Sequence, residues 1–350
     1  MHRRLVLTML PAMLPAAGVA AATPASPGQS DWDAWTEAFV TPEGRAVDAL
    51  QGMASHSEGQ GWAMLLAAHH RDEARFARLF AWTEDHLAVR QDPLLSWRWR
   101  PDEGIVDYNN ASDGDLFYAW ALLIAARRFG QHAYAVRAGA VAQAIDAILV
   151  KDAPGGGLLL RPAAEDFAAP GSETVNPSYT MPLALHALGA AFDLPRLARV
   201  ATDSEALIAR IASAGPVPDW VRLDAEGWQP SSAHGPQFSY DALRVALYLA
   251  WSGRLAHPAV TRARSIYEDA AGATPARVDP TATPVRVDPT TGAVLDRSDA
   301  PGYAAVAALI RRAGSAAPDE PLPPFTAAQP YYPATLHLLT HLAAGALSPG

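Results

Sequence analysis

Helical patterns follow one another along almost the whole chain, separated by short breaks rich in glycine, proline or polar residues. Trp32, Trp35 and Phe39 recur at helical spacing near the start. Ten further segments show helical patterns: 58–69, 72–87, 112–129, 132–150, 179–190, 194–213, 240–253, 257–270, 303–312 and 331–344. Because amphipathic helices bury their apolar faces against one another, we predict a single all-α domain from residue 31 to residue 350.

Composition and charge exclude several kinds of protein. Half of the residues are hydrophobic, which is enough for a large core. The chain has no cysteine, so disulfides, thiolate metal sites and a cysteine nucleophile are excluded. A formal charge of −9 argues against a nucleic-acid partner, since phosphate binding needs clustered basic residues. His69-His70 and the pair His337/His341 lack a recognisable third ligand, so no metal site is expected, and no cofactor motif is visible.

The first residues have the pattern of a targeting segment. Arg3 and Arg4 precede an apolar stretch, 5–19, and the small residues 20–22. This order is typical of a signal peptide. We therefore predict a signal peptide over 1–22, a linker over 23–30, and a periplasmic or secreted protein. No later segment offers about 18 uninterrupted apolar residues, so no membrane anchor is expected after cleavage.

Two longer breaks interrupt the helical patterns. Residues 151–177 contain three consecutive glycines followed by 158–160, which we predict to be a short strand. Residues 274–301 repeat the sequence Arg-Val-Asp-Pro at 277–280 and 286–289. A calcium or ligand site is conceivable there, but the turn chemistry of aspartate and proline favours two solvated turns.

Three acidic residues, Glu58, Asp113 and Asp241, each stand at the start of a helical pattern. For any one of them, helix capping is the simpler interpretation, because acids are favoured near helix N-termini. Ser57 and Ser112 suit the N-cap position, and Ser112 with Asp115 has the spacing of a capping box.

Taken together, the three acids indicate chemistry more than capping. Gly59, Gly61 and Gly114 accompany them, although glycine weakens helices. We interpret these glycines as places where a ligand approaches the backbone. Helix N-termini that open into one cleft would bring the distant carboxylates together, and paired carboxylates perform glycoside hydrolysis.

Aromatic residues near these segments favour a sugar ligand. Trp97 and Trp99 lie between helical patterns, where flat rings suit the apolar faces of pyranoses. Further rings near the acidic segments are those of Trp62, Tyr108, Trp120, Tyr179, Trp220, Trp228 and Tyr240. The apolar helical neighbours of Trp82, Trp120 and Trp251 instead predict core positions.

These features resemble glycoside hydrolase family 8. The resemblance covers nearly the whole mature chain and is strongest in the block Asn110-Ala111-Ser112-Asp113-Gly114-Asp115. The other matching blocks, in chain order, are Trp32-x-x-Trp35, Glu43-Gly44-Arg45, Ser57-Glu58-Gly59-Gln60, Trp97-x-Trp99, Ala119-Trp120-Ala121-Leu122-Leu123, Asn176-Pro177-Ser178-Tyr179, Pro218-Asp219-Trp220-Val221, Ser239-Tyr240-Asp241-Ala242-x-Arg244-Val245 and Tyr331-Tyr332.

The resemblance implies an all-α (α/α)6 barrel of six inner and six outer helices, with a substrate cleft across one end. It also implies an inverting mechanism in which Glu58 is the general acid, Asp241 is the general base, and Asp113 binds and helps to distort the sugar. The residues it implies for substrate binding are Trp97, Trp99, Tyr179, Tyr240 and Arg244.

The function expected from the resemblance is hydrolysis of β-1,4-glucan of the cellulose type, linked to bacterial cellulose synthesis and to its export machinery. Chitosan, xylan and mixed-linkage glucan are alternative substrates within the family. A non-catalytic glycan-binding subunit is the alternative of another class. The sequence departs from the family at Gly61-Trp62-Ala63 and at Glu173-Thr174-Val175, where an arginine is expected.

Overall fold

A computed structural model of the protein describes residues 27–272, 282–313 and 321–347. Within them eleven α-helices occur, and their bounds are α1 (Pro27–Phe39), α2 (Ser57–His69), α3 (Glu73–His86), α4 (Ser112–Phe129), α5 (His132–Ala144), α6 (Pro182–Phe192), α7 (Pro195–Ala214), α8 (Ala242–Trp251), α9 (Pro258–Gly272), α10 (Pro301–Arg312) and α11 (Tyr331–Leu347).

Most predicted helices are confirmed to within a few residues. The segment 132–150 is α-helical only to Ala144 and continues as a π-helical turn. The predicted signal peptide, 1–22, lies outside the described residues, as does 23–26 of the predicted linker. The linker prediction is wrong for 27–30, since these residues form the first turn of α1, where a proline fits the first helical position.

Six helices form an inner ring. Helix α2 contacts α4, and the contacts continue through α6, α8, α10 and α11, which returns to α2. Helices α2, α4 and α8 are buried on nearly all sides, as helices surrounded by other helices must be. The expected (α/α)6 barrel is confirmed.

The outer layer contains α1, α3, α5, α7 and α9 in the part of the chain that the structure describes, each packed against the inner ring. No helix occurs in the described residues between α10 and α11, 321–330. Four of those ten residues are proline, which removes the backbone donors that a helix needs.

Short antiparallel strands fill the connections. A three-stranded sheet contains β1 (Ser55–His56), β2 (Arg98–Arg100) and β3 (Gly104–Asp107). The other sheets are formed by β4 (Val150–Asp152) with β5 (Leu158–Leu160), by β6 (Ala168–Ala169), β7 (Ser172–Val175), β8 (Val221–Asp224) and β9 (Gly227–Pro230), and by β10 (Thr283–Val287) with β11 (Val294–Ser298). Only 158–160 was predicted from the sequence, and it is confirmed as β5.

One of the two Arg-Val-Asp-Pro copies lies within the described residues. The copy at 277–280 lies outside the described residues. In the copy at 286–289, Asp288 accepts hydrogen bonds from the backbone nitrogens of Thr290 and Thr291, at 2.8 and 2.9 Å. This copy therefore ends β10 and begins the turn to β11, which confirms the turn interpretation.

The core prediction for three tryptophans is confirmed. Trp82, Trp120 and Trp251 are each at most 6% exposed, and the rings of Trp120 and Trp251 are 5.6 Å apart. Among the described residues, no helix is both long enough and apolar enough to cross a membrane.

Candidate active site

A single buried cation brings the three predicted acids together. Arg244 on α8 is 1% exposed, and its Nη1 donates to Glu58 Oε2 and, at 3.3 Å, to Asp113 Oδ2. Its Nη2 donates to Asp241 Oδ1 and to Ser178 Oγ, each at 2.8 Å. Residues from two inner helices and two connecting segments therefore converge on one guanidinium.

Glu58 lies in the first turn of α2, in surroundings that favour its protonated form. Burial raises the pKa of Glu58 well above its usual value, and the charges of Asp113 and Asp241 add to the increase, while Arg244 opposes it. A carboxyl group that retains its proton near neutral pH can act as a general acid.

Asp241 immediately precedes α8, and both of its carboxylate oxygens are held. Arg244 binds Oδ1, and the Nδ2 of Asn176 donates to Oδ2 at 2.8 Å. Hydrogen bonds from a cation and an amide fix the orientation of a carboxylate. The side chain is 30% exposed, so water can reach it. Such a carboxylate can accept a proton from an attacking water.

The acids lie between two adjoining cavities, which we call the large and the small cavity. Both are lined by Gln51, Glu58, Asp241 and Arg244. The large cavity, about 550 Å³, also borders Tyr240, Tyr303, Tyr332 and Asp299. The small one, about 140 Å³, also borders His56, Trp97, Asp113 and Tyr179. A chain that occupied both cavities would place an internal bond beside the carboxylates.

The two tryptophans of the predicted sugar platform have different surroundings. Trp97 lines the small cavity, stacks on His56 at 5.5 Å, and donates from Nε1 to Asp107 at 2.7 Å. Trp99 lines neither cavity, and its ring packs edge-on against Trp82 at 5.4 Å. A register shift between residues 98 and 99 of β2 separates the two environments. The position of Trp97 supports a platform role, whereas that of Trp99 supports packing.

Tyr179 and Tyr240 lie on opposite sides of the acids. Tyr179 borders the small cavity, with its ring 5.8 Å from the Arg244 guanidinium. Burial raises the pKa of Tyr179 well above its usual value, so it remains a hydroxyl donor. Tyr240 borders the large cavity and is 42% exposed, and its carbonyl accepts a hydrogen bond from Tyr332.

The glycines near the acids allow helices to pack closely, so interpreting them as points of ligand approach is wrong. A Cβ at Gly114 would overlap Ser57 Oγ and lie 2.7 Å from the Glu58 nitrogen. A Cβ at Gly61 would lie 2.9 Å from the backbone nitrogen of Tyr118. Both positions face the contact between α2 and α4, which holds Glu58 next to Asp113.

The capping interpretation of the two serines is also wrong. The N-cap residues are His56 and Ala111, and Ser57 and Ser112 are the first helical residues. Neither serine hydroxyl has a hydrogen-bond partner in the part of the chain that the structure describes.

Asp115 does not complete a capping box. Its Oδ1 accepts from the Leu95 nitrogen and its Oδ2 from Asn110 Nδ2, both at 2.8 Å. The Asp115 carboxylate thus links the connection before β2 to the start of α4. The helix-start pattern was recognised correctly, but the side chains are used for tertiary contacts.

Sequence reasoning missed several polar side chains that hold the acids. Asn176 and Ser178 stand in the Asn-Pro-Ser-Tyr block, from which only Tyr179 was selected. Asn176 binds Asp241, while Ser178 Oγ donates to Asn176 Oδ1 at 2.7 Å and accepts from Arg244. The block itself was the available signal, because its turn chemistry places three polar side chains within four residues.

The described residues contain no group of three or more His, Asp or Glu side chains arranged to hold a metal ion. His337 Nε2 instead lies 3.0 Å from the Pro323 carbonyl, and its ring packs against that of His341 at 4.8 Å.

Known proteins of similar sequence and fold cover most of the chain. The model of "Glycosyl hydrolases family 8" matches residues 4–346. A "Probable endoglucanase" from Novacetimonas hansenii is 35% identical over 327 residues, 89% of each chain. An endoglucanase from Cellulomonas uda is 33% identical over 228 residues, which span 64% of this chain and 63% of that protein. The solved endo-β-1,4-glucanase CMCax from Acetobacter xylinum superimposes with a TM-score of 0.80 at 33% identity, covering 91% of this chain and 98% of that one.

Proposed function

The chain belongs to glycosyl hydrolase family 8, and on that premise we propose that it is an inverting endo-β-1,4-glucanase acting on cellulose-type glucan. The observation that carries the proposal is the arrangement of Glu58 and Asp241 on opposite nitrogens of Arg244, at the junction of two cavities. A junction with space on both sides suits cleavage within a chain. The similar proteins named as endoglucanases support glucan as the substrate.

The mechanism follows from the different surroundings of the two acids. Glu58 donates its proton to the departing glycosidic oxygen, because its raised pKa keeps it protonated until that step. Asp241 accepts a proton from the water that attacks the anomeric carbon from the opposite face. Asp113 contributes a buried acceptor for a sugar hydroxyl next to Glu58. A non-catalytic glycan-binding subunit would not need an acid and a base in such different environments.

Activity of the purified chain on carboxymethylcellulose tests the proposal, with chitosan and xylan as parallel substrates. An endoglucanase lowers the viscosity of carboxymethylcellulose well before many reducing ends accumulate. Faster cleavage of chitosan or xylan would show that this polysaccharide, and not glucan, is the substrate. Binding without cleavage of any of the three would favour the glycan-binding alternative.

Export and association with cellulose synthesis are further parts of the proposal. The signal-peptide pattern of residues 1–22 supports a periplasmic or secreted enzyme. N-terminal sequencing of the chain recovered outside the inner membrane tests it, and a start near residue 23 is expected. Co-purification with cellulose synthase subunits tests the association. An exported enzyme that co-purifies with none of these subunits would contradict it.

A further inference from the structure

The helix that follows Asp241 is not capped by the Asp241 side chain. Asp241 has helical backbone angles, φ −70° and ψ −46°, whereas a capping residue has an extended backbone. Its side chain makes no cap hydrogen bond, and its two oxygens bind Arg244 and Asn176. Something else must satisfy the backbone donors around Asp241.

Asp219 provides this acceptor from a distant segment. Its Oδ1 accepts from the backbone nitrogens of Ser239 and Ala242, each at 2.8 Å. These two nitrogens flank Asp241 on either side. Asp219 is itself fixed, because its backbone nitrogen donates to the Gln237 carbonyl at 2.8 Å. One carboxylate oxygen thus holds both ends of the turn that carries Asp241.

We propose that Asp219 is a positioning residue for the general base: by accepting hydrogen bonds from the backbone nitrogens on both sides of Asp241, it holds this turn so that the Asp241 carboxylate faces the cleft. The inference rests on the proposed function for the role of Asp241. Without Asp219, two partly buried backbone donors would lose their acceptor, and unsatisfied donors of this kind are costly. The nearest carboxylate along the chain is that of Asp241, which would turn inward to replace it.

Two substitutions of Asp219 distinguish a positioning role from a requirement for its negative charge. Asparagine keeps an oxygen that accepts from both nitrogens, and it is as good an N-cap as aspartate. Burial, with the charge of Asp241, raises the pKa of Asp219 to about 7. An uncharged side chain therefore suits this environment. Alanine removes the acceptor altogether.

Kinetics of Asp219→Ala and Asp219→Asn on a soluble cello-oligosaccharide test the proposal. We expect kcat to fall at least about 100-fold in the alanine variant, the size of a general-base contribution, with oligosaccharide affinity within about threefold of wild type. The asparagine variant should retain at least a third of kcat. Asp72→Ala is the matched control, because Asp72 caps the outer helix α3 through the Arg75 nitrogen. It should lose stability and keep kcat.

Wild-type kcat in Asp219→Ala would overturn the inference, and so would an asparagine variant as slow as the alanine variant. If the alanine variant does not fold, Asp219→Glu decides, because its longer side chain displaces the turn while keeping the charge. Full kcat there would also overturn the proposal.

A crystal structure of the alanine or glutamate variant is independent of the substrate. It should show Asp241 Oδ2 beyond hydrogen-bond distance of Asn176, and an unmoved Asp241 would contradict the inference. A wild-type chain that cleaves no glucan would contradict the proposed function while leaving this structural test intact.

Discussion

Glu58 and Asp241 bind opposite terminal nitrogens of the same guanidinium, that of Arg244, so a fixed cation stands between the acid and the base. The cation keeps the two carboxyl groups from sharing a proton directly. It also couples them, because any displacement of α8 moves Arg244 and Asp241 together.

The general acid is tested by Glu58→Gln. Glutamine preserves shape and accepts the Arg244 hydrogen bond but cannot release a proton, so we expect kcat to fall by about 10²–10⁴-fold with the fold unchanged. Turnover of carboxymethylcellulose and the thermal midpoint are measured together. Glu205→Gln, in an ion pair with Arg254 away from the cavities, is the control. Near-wild-type turnover of the Glu58 variant would remove Glu58 from the acid role.

The acids could be found from the sequence because each stands at the start of a helix with a recognisable pattern. The Asn-Pro-Ser-Tyr block was a signal for Asn176 and Ser178, but their pairing with the acids and the role of Asp219 could not be predicted, since these contacts join distant segments. The short strands were missed for a related reason. Strands such as β6 and β8 are two to four residues long, too short for a clear alternation, and are stabilised by pairing across the fold.

Trp97→Ala and Trp99→Ala should have different consequences. We expect Trp97→Ala to weaken binding of long glucan chains while chemistry on a well-bound short chain changes less, because Trp97 lines the small cavity. Trp99→Ala should instead lower the free energy of unfolding by about 3 kcal/mol, as loss of a packed tryptophan does. Calorimetric titration and denaturant unfolding separate the two. A loss of sugar affinity in Trp99→Ala at unchanged stability would mean that Trp99 belongs to the sugar platform.

Gly114→Ala should disturb the acid through the backbone. The added Cβ would lie 2.7 Å from the Glu58 nitrogen, so the start of α2 must move away from α4. We expect a stability loss of about 1–3 kcal/mol and at least a tenfold lower kcat. Gly345→Ala on α11 is the control, since among the described residues a Cβ there would meet no atom within 4 Å beyond its own turns of helix. Normal kcat in Gly114→Ala would show that α2 tolerates the displacement.

Because Asp115 is buried, we expect the free energy of unfolding to decrease as pH rises. Burial raises its pKa to about 7 from an unfolded value of 3.8. A raised pKa favours the protonated, folded form, so this contribution is complete below about pH 4 and is lost as pH rises to about 7. At about 1.4 kcal/mol per pH unit, the loss between pH 5 and pH 8 is about 3 kcal/mol.

Asparagine at position 115 cannot ionise, so Asp115→Asn should remove this part of the pH dependence, whatever it does to stability at pH 5. Urea unfolding at the two pH values measures it in both proteins. An equal decrease in wild type and variant would mean that Asp115 is already ionised at pH 5.

The stereochemistry of the product distinguishes an inverting from a retaining pair of carboxylates. An inverting enzyme needs room for water between base and sugar, with carboxyl groups about 6.5–9.5 Å apart, whereas a retaining pair lies about 5–5.5 Å apart. The guanidinium of Arg244 between Glu58 and Asp241 favours the wider arrangement.

Water that enters opposite a departing β-linked chain gives an α-configured reducing end. Proton NMR in the first minutes, before mutarotation, should therefore show the α-anomer rising ahead of the β-anomer. Early accumulation of the β-anomer would mean double displacement, and Asp241 would then act as a nucleophile.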